Sequence, residues 1–136
     1  MMSHTKIVSV LFTVIFISSC GSPENVESEN PMASIDFMET THNFGNIPYT
    51  SDGRCYFEFT NTSKKDLLIN NVRTTCGCTR PEWPEKPIKP GSKGKIGITY
   101  NTKMIGNFNK GITVYSNTQE SPTKLFIKGN VVEKYN

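Results

Sequence analysis

From Arg54 onward the chain alternates. In "RCYFEFTN", Cys55, Phe57 and Phe59 fall at every second position, with Arg54, Tyr56, Glu58 and Thr60 between them. An extended strand turns successive side chains to opposite faces, so a period of two buries one row and wets the other. The same period returns in "KIGITYN", where Ile96, Ile98 and Tyr100 point one way, and in "KGITVYSN" through Ile112 and Val114. It closes with Leu125, Ile127 and Val131 in "KLFIKGNVV". Clusters of Gly, Pro, Asn and Ser separate these runs, and after residue 33 no stretch of about ten residues has helical periodicity. The pattern predicts an all-β domain, an antiparallel β-sandwich of immunoglobulin-like type with about seven short strands.

Local signals sharpen this. "SIDF" opens the domain, and "HNFG" is a short second piece that Gly45 and Pro48 are expected to end. In "DLLINNVRTT", Leu67 and Ile69 are in phase and Val72 is out of phase, so a bulge near Asn70-Asn71 is needed to turn all three inward. Pro90-Gly91 fits the central positions of a type II turn, because proline presets its own φ and glycine accepts a positive one. Asn61-Thr62-Ser63 has the form of a glycosylation acceptor, but it opens a turn and reads as turn chemistry.

Ahead of the domain, "MMSHTK" and the mostly apolar run Ile7 to Ile17 form a secretory signal pattern, too short for the roughly 20 residues of a membrane-spanning helix. Ile17-Ser18-Ser19-Cys20-Gly21 resembles a bacterial lipobox, which predicts a signal peptide over residues 1 to 19 and a lipid on Cys20. Gly21 and Ser22 supply no acidic residue of the kind that retains lipoproteins at the inner membrane, so the expected address is the outer membrane, facing periplasm or cell surface. Residues 20 to 33 carry three Glu, two Pro and no Lys or Arg, the composition of a flexible acidic tether. Acid-rich tethers also resemble surface-export signals of some lipoproteins; a plain spacer is the simpler reading.

Without Lys6 and the three tether Glu, residues 34 to 136 keep 14 basic and 9 acidic residues, a net charge of +5. The lysines are scattered, and no aromatic-basic interleaving marks a nucleic-acid surface, so no nucleic-acid partner is expected. The length suffices for one compact domain with one core. A single domain histidine, His42, with no Ser-His-Asp order and no phosphate loop, leaves no hydrolase or transferase mechanism to assemble, and no enzyme activity or cofactor is expected.

"THNFGNI", "FTNTSKKDLLINNVRTTCGCTRPEWP", "IKPGSKGKIGITYNT" and "GNFNKGITVYSN" together resemble the bacterial domain-of-unknown-function family 1573, built round a T-x-C-G-C-T motif. The resemblance runs in order over nearly all of residues 34 to 132. It implies an immunoglobulin-like module of the Hydin type, often a lipoprotein, with no established activity. Two positions depart from the pattern: Asn43 stands where an acidic residue is common, and Cys55 is an extra cysteine.

With Cys20 assigned to lipid, three thiols remain, Cys55, Cys76 and Cys78, in a compartment where disulfides form. In a simple hairpin centred near Ser63-Lys64, Cys55 would miss Cys76 by about 13 Å, although strands in opposite sheets or a bulge would shorten that reach. Otherwise Cys55 is a buried small hydrophobe in phase with Phe57 and Phe59. On a continuing strand Cys76 and Cys78 stand about 6.6 Å apart, near the outer limit for a bridge, with Gly77 permitting a pucker.

Three readings of the motif follow. In the first, the CGC is a bend that ends a strand and seats the proline-studded "RPEWPEKP" along an edge, with Trp83 over the open end of the core. The second is thiol-disulfide chemistry, with Arg73 and Arg80 as the nearby positive charges and no helix N-terminus to lower a thiol pKa. The third is soft-metal binding of Cu(I) or Zn(II) by Cys76 and Cys78, for which a third ligand is hard to name and the metal unknown. Trp83 could also be a platform for glycan or peptide, against the commoner role of a partly buried Trp. The residues favour the first reading: a lipid-anchored, non-catalytic envelope or surface module with an unknown protein or glycan partner.

Overall fold

The computed structural model describes residues 32 to 133. The expected signal peptide, the Cys20 expected to carry a lipid and the expected tether as far as residue 31 lie outside the described residues. Ala33, grouped above with the tether, is part of the domain. It is 2% exposed, its N–H donates to the Asn117 carbonyl at 3.2 Å, and it bridges to Thr118.

Eight strands follow: β1 (Ile35–Phe37), β2 (Thr41–Pro48), β3 (Arg54–Asn61), β4 (Ile69–Thr74), β5 (Thr79–Glu82), β6 (Lys93–Tyr100), β7 (Gly106–Ser116) and β8 (Thr123–Val132). They form two four-stranded sheets, ordered β1-β3-β6-β5 and β2-β8-β7-β4. The expected all-β sandwich is present, with eight strands instead of about seven. One pair departs from antiparallel: β2 lies parallel to β8. A parallel neighbour needs a long connection, and β3 to β7 together supply it.

The alternating rows meet between the sheets. Cys55, Phe57, Phe59, Ile96, Ile98 and Tyr100 face Leu67, Ile69, Val72, Ile112, Val114, Leu125, Ile127 and Val131, all 5% exposed or less. Each large side chain so enclosed contributes about 1.5–3 kcal/mol relative to solvent exposure. The β4 bulge falls where the phases demand it: the register with β7 shifts between Ile69 and Asn71, and Leu67, Ile69 and Val72 are all buried.

Gly45 does not end β2 as expected. It sits at φ 62 inside a register shift between Asn43 and Asn46, its N–H held by Asn43 Oδ1 at 3.0 Å, and pairing with β8 resumes through Pro48. A glycine in the left-handed region absorbs an extra residue without ending the ladder. At the Pro90-Gly91 turn the expectation holds, with Gly91 at φ 74 and the Ser92 N–H donating to the Lys89 carbonyl at 3.0 Å.

Strand directions sort the loops to two ends. Ala33, residues 62–68, 83–92 and 117–122 lie at one, the proximal end; residues 49–53, 75–78 and 101–105 lie at the other, the distal end. Among the described residues, no helix is long and apolar enough to cross a membrane.

Candidate functional site

The CGC motif forms the distal crossing from one sheet to the other. β4 ends at Thr74 and β5 begins at Thr79, and the Thr79 N–H donates to the Cys76 carbonyl at 3.3 Å to close a turn over Gly77 and Cys78. The Thr74 hydroxyl is shared between the carbonyls of Cys76 at 3.0 Å and Thr79 at 3.1 Å. Neighbouring strands anchor the segment from outside: the Asn101 N–H donates to the Cys78 carbonyl at 2.8 Å, and the Thr75 N–H to the Gly111 carbonyl at 3.2 Å. The bend is thus a hydrogen-bonded joint between the sheets, as the first reading of the motif held.

Cys76 and Cys78 are joined by a disulfide, with Cα atoms 5.3 Å apart. The turn, not a continuing strand, brings them inside the range that a bridge requires. Gly77 is not the permissive element that the sequence pointed to. Its φ is outside the left-handed region, and a Cβ built on it meets no atom within 4 Å. Both cysteines are half-buried and Gly77 between them is exposed; the sulfurs lie 3.7 and 3.8 Å from the Thr79 hydroxyl. The flanking Arg73 and Arg80 are exposed.

Cys55 takes no part. β3 and β4 sit in different sheets, so the hairpin considered above does not form, and Cys55 lies on β3 across from Ile98, 5% exposed and free. Burial, with a smaller push from Glu39, raises its thiol to about 12. It is a small core hydrophobe.

The soft-metal reading finds no further ligand. Cys76 and Cys78 are bonded to each other, and among the described residues no group of three His, Cys, Asp or Glu is placed to hold a metal ion. His42 is half-buried, with Nδ1 3.1 Å from Glu39 Oε1 and its ring edge-on to Phe44 at 4.6 Å. That is a structural histidine.

Trp83 follows the short edge strand β5, whose Pro81 gives up a ladder donor where an edge tolerates it. The indole is partly buried against the core and lines a shallow proximal hollow with Leu68, Ile69, Asn70 and Glu85. Trp83 and the cysteine bridge therefore belong to different ends of the domain. Reading by period passed over the distal loops themselves, where Met104 is 54%, Ile105 59% and Tyr49 38% exposed. An apolar pair between Lys103 and Gly106 in a loop was the signal available.

No curated protein matches the chain in sequence. Among solved structures, a Porphyromonas gingivalis W83 protein of unknown function superposes with TM-score 0.66 at 15% identity, over 73% of this chain and 47% of that one, so the chain spans about half the length of that protein. The ASH/PapD-like domain 7 of human CEP192 superposes with TM-score 0.64 at 11% identity, over 98% and 99% of the two chains. The secreted serine protease VesC from Vibrio cholerae gives 0.58 at 9% identity, over 80% of this chain and 25% of that protein. At such identities these likenesses show the fold alone, a PapD-like, immunoglobulin-like sandwich. The family described as "Protein of unknown function (DUF1573)" matches residues 35–131, from the start of β1 to the next-to-last residue of β8, and the chain belongs to that family.

Proposed function

We propose that this chain is a lipid-anchored, non-catalytic interaction module of the bacterial cell envelope, held to the outer membrane through Cys20 and presenting its distal loops to a partner. The observation that carries the reading is the opposition of the two ends. The tether leads into Ala33 beside Thr118, whereas Tyr49, Met104, Ile105 and the bridged CGC turn gather at the other end. β7 runs between these ends over 11 residues, roughly 33 Å at about 3.3 Å per residue. Exposed apolar side chains on loops fixed by a rigid scaffold are what a binding surface presents.

Two measurements test this. Labelled palmitate incorporation and membrane fractionation are expected to depend on Cys20; a Cys20→Ala chain that is still acylated or still membrane-held overturns the anchor. A photo-crosslinker at Ile105 is expected to capture an envelope partner that one at the proximal Pro87 does not, and equal capture overturns the distal interaction end.

A second reading, thiol-disulfide exchange, is favoured by one observation: the bridge is half-exposed at the distal end, where a thiol can reach it. Intact mass before and after mild reductant decides it, since a bridge that resists reduction in the folded chain removes the reading.

A further inference from the structure

The outer face of the β2-β8-β7 sheet carries an array of carboxamides. In register, Asn130 on the central β8 lies across from Asn46 on β2 and Asn107 on β7, and Lys128 lies across from Asn43 and Asn109. These two adjacent cross-strand rows hold five Asn around one Lys. They border a hollow of about 430 Å³ that the backbones of Gly45 and Gly129 also line.

The β2 bulge builds this array. Asn43 and Asn46 are an odd number of positions apart and would face opposite sides of a regular strand. The extra residue at Gly45 restores them to one face, exposed, while Phe44 and Ile47 both pack on the core.

Asn is depleted in strands because its side chain competes for the backbone. An ordinary solvated face would use β-formers or charges, and this domain does so elsewhere. The outer row of the other sheet shows Arg54, Tyr56, Glu58 and Lys95, and the far half of the same face shows Thr113, Tyr115 and Lys124. Asn130 Nδ2 donates to Asn46 Oδ1 at 3.2 Å, but among the described residues the Asn107 and Asn109 amides have no partner. One row beyond Lys128 on the same face, Phe126 is 39% exposed, its ring edge passing Gly111 on β7.

Each carboxamide offers two donors and an acceptor side by side, the complement of neighbouring hydroxyls on a polyol. Sheet spacing of about 5 Å between paired Cβ atoms sets these amides at the separation of groups on one pyranose ring. Phe126 adds an apolar surface for a sugar face, and Lys128 a single cation for a carboxylate. We infer that the Asn43, Asn46, Asn107, Asn109, Asn130 and Lys128 face binds a polysaccharide, and that its ligand class is a uronate-containing glycan. The inference rests on the reading of the chain as a binding module and not on its lipid anchor.

The test is calorimetric titration of the full chain, in a detergent free of sugar headgroups, with short oligogalacturonates and with maltohexaose. Saturable binding at about 1 mM or tighter is expected, with the uronate preferred. Asn107→Thr/Asn109→Thr is expected to weaken both ligands at least about tenfold while the melting temperature holds or rises, since Thr favours strands. Lys128→Gln is expected to abolish only the uronate preference. Failure of both sugars to bind, binding that survives the double variant, or a double variant that unfolds each overturns the proposal. Fractionation of the same variants keeps this outcome separate from that of the anchor.

Discussion

Cys55 lies directly across the β3–β6 pair from Ile98, in the inner row of its sheet, and its thiol is pushed up to about 12 from the ordinary 9.0 by burial. In the unfolded chain the thiol ionises near its ordinary value, while in the folded chain it stays neutral until about 12. The stability linked to this neutral form is intact below pH 9.0 and is lost as pH rises toward 12, by up to about 1.4 kcal/mol per unit. The stability gap between the native chain and Cys55→Ala, measured by urea unfolding, is therefore expected to narrow on going from about pH 8 to about pH 10. A thiol reagent at neutral pH is expected to label Cys55 only after denaturant is added.

Asn61, fully buried at the end of β3, closes the proximal loops. Its Nδ2 donates to the carbonyls of Lys65 at 2.7 Å and Ile88 at 2.9 Å, and its Oδ1 accepts from the Ser63 N–H at 3.0 Å and the Ser63 hydroxyl at 2.7 Å. Asn61→Ala leaves the Ile88 carbonyl with the Leu67 N–H as its partner but removes four hydrogen bonds of a buried side chain that hold the turn together, at an expected cost of about 2–4 kcal/mol. Asn61→Asp keeps the shape but cannot donate, and is expected to lose nearly as much. Denaturant midpoints of the two variants check this; a loss below about 0.5 kcal/mol in both would show that the turn holds without the amide.

The Cys76–Cys78 bridge spans one residue, so it constrains the unfolded chain very little. A closed loop of three residues corresponds to about 1.6 kcal/mol in the loop-entropy account, against about 4.7 for a hundred-residue loop. Cys76→Ser/Cys78→Ser is therefore expected to stay folded, with a loss of about 2 kcal/mol or less. The turn should persist on the Thr74 hydroxyl, the Thr79–Cys76 bond and the Asn101–Cys78 bond. Gly77→Ala is expected to change stability by less than about 1 kcal/mol, because its Cβ enters open space at an ordinary φ. Thermal unfolding of the three chains measures both, and collapse of the double serine variant would make the bridge a structural necessity.

The inner rows were legible because they need only a local rule: alternation names Phe57, Phe59, Ile96, Ile98 and Leu125 without reference to the rest of the chain. The Pro90-Gly91 turn was legible for the same reason. What the sequence hid depends on chain crossing between sheets. Whether residues 62–68 return β4 to β3 or carry it across is decided by packing at the far side of the core, and that choice separates Cys55 from the motif. Gly45 looks identical as a strand end and as a bulge until β8 is there to pair with it. The amide rows are assembled from β2, β7 and β8, which no window along the chain brings together.

The bulge in β4 offers the sharpest check on the core, because its position was set by side-chain phase alone. Ile69 pairs with Ser116 and Asn71 with Tyr115, which leaves Asn70 as the extra residue, exposed. With it, Leu67 and Ile69 on one side and Val72 on the other all reach the interior at 4% exposure or less. Deleting Asn70 leaves Val72 two positions after Ile69, so Leu67, Ile69 and Val72 share one phase and Ile69, Asn71 and Val72 pair with Ser116, Tyr115 and Val114 on a regular ladder without the bulge. The deletion is therefore expected to keep all three side chains buried and to stay within about 1 kcal/mol of the native chain. Asn70→Ser keeps the residue count and is expected to be within about 0.5 kcal/mol of the native chain. Equilibrium unfolding of the deletion beside the substitution separates length from chemistry: a deletion several kcal/mol less stable than the substitution would mean that the extra residue does more for β4 than correct its side-chain phase.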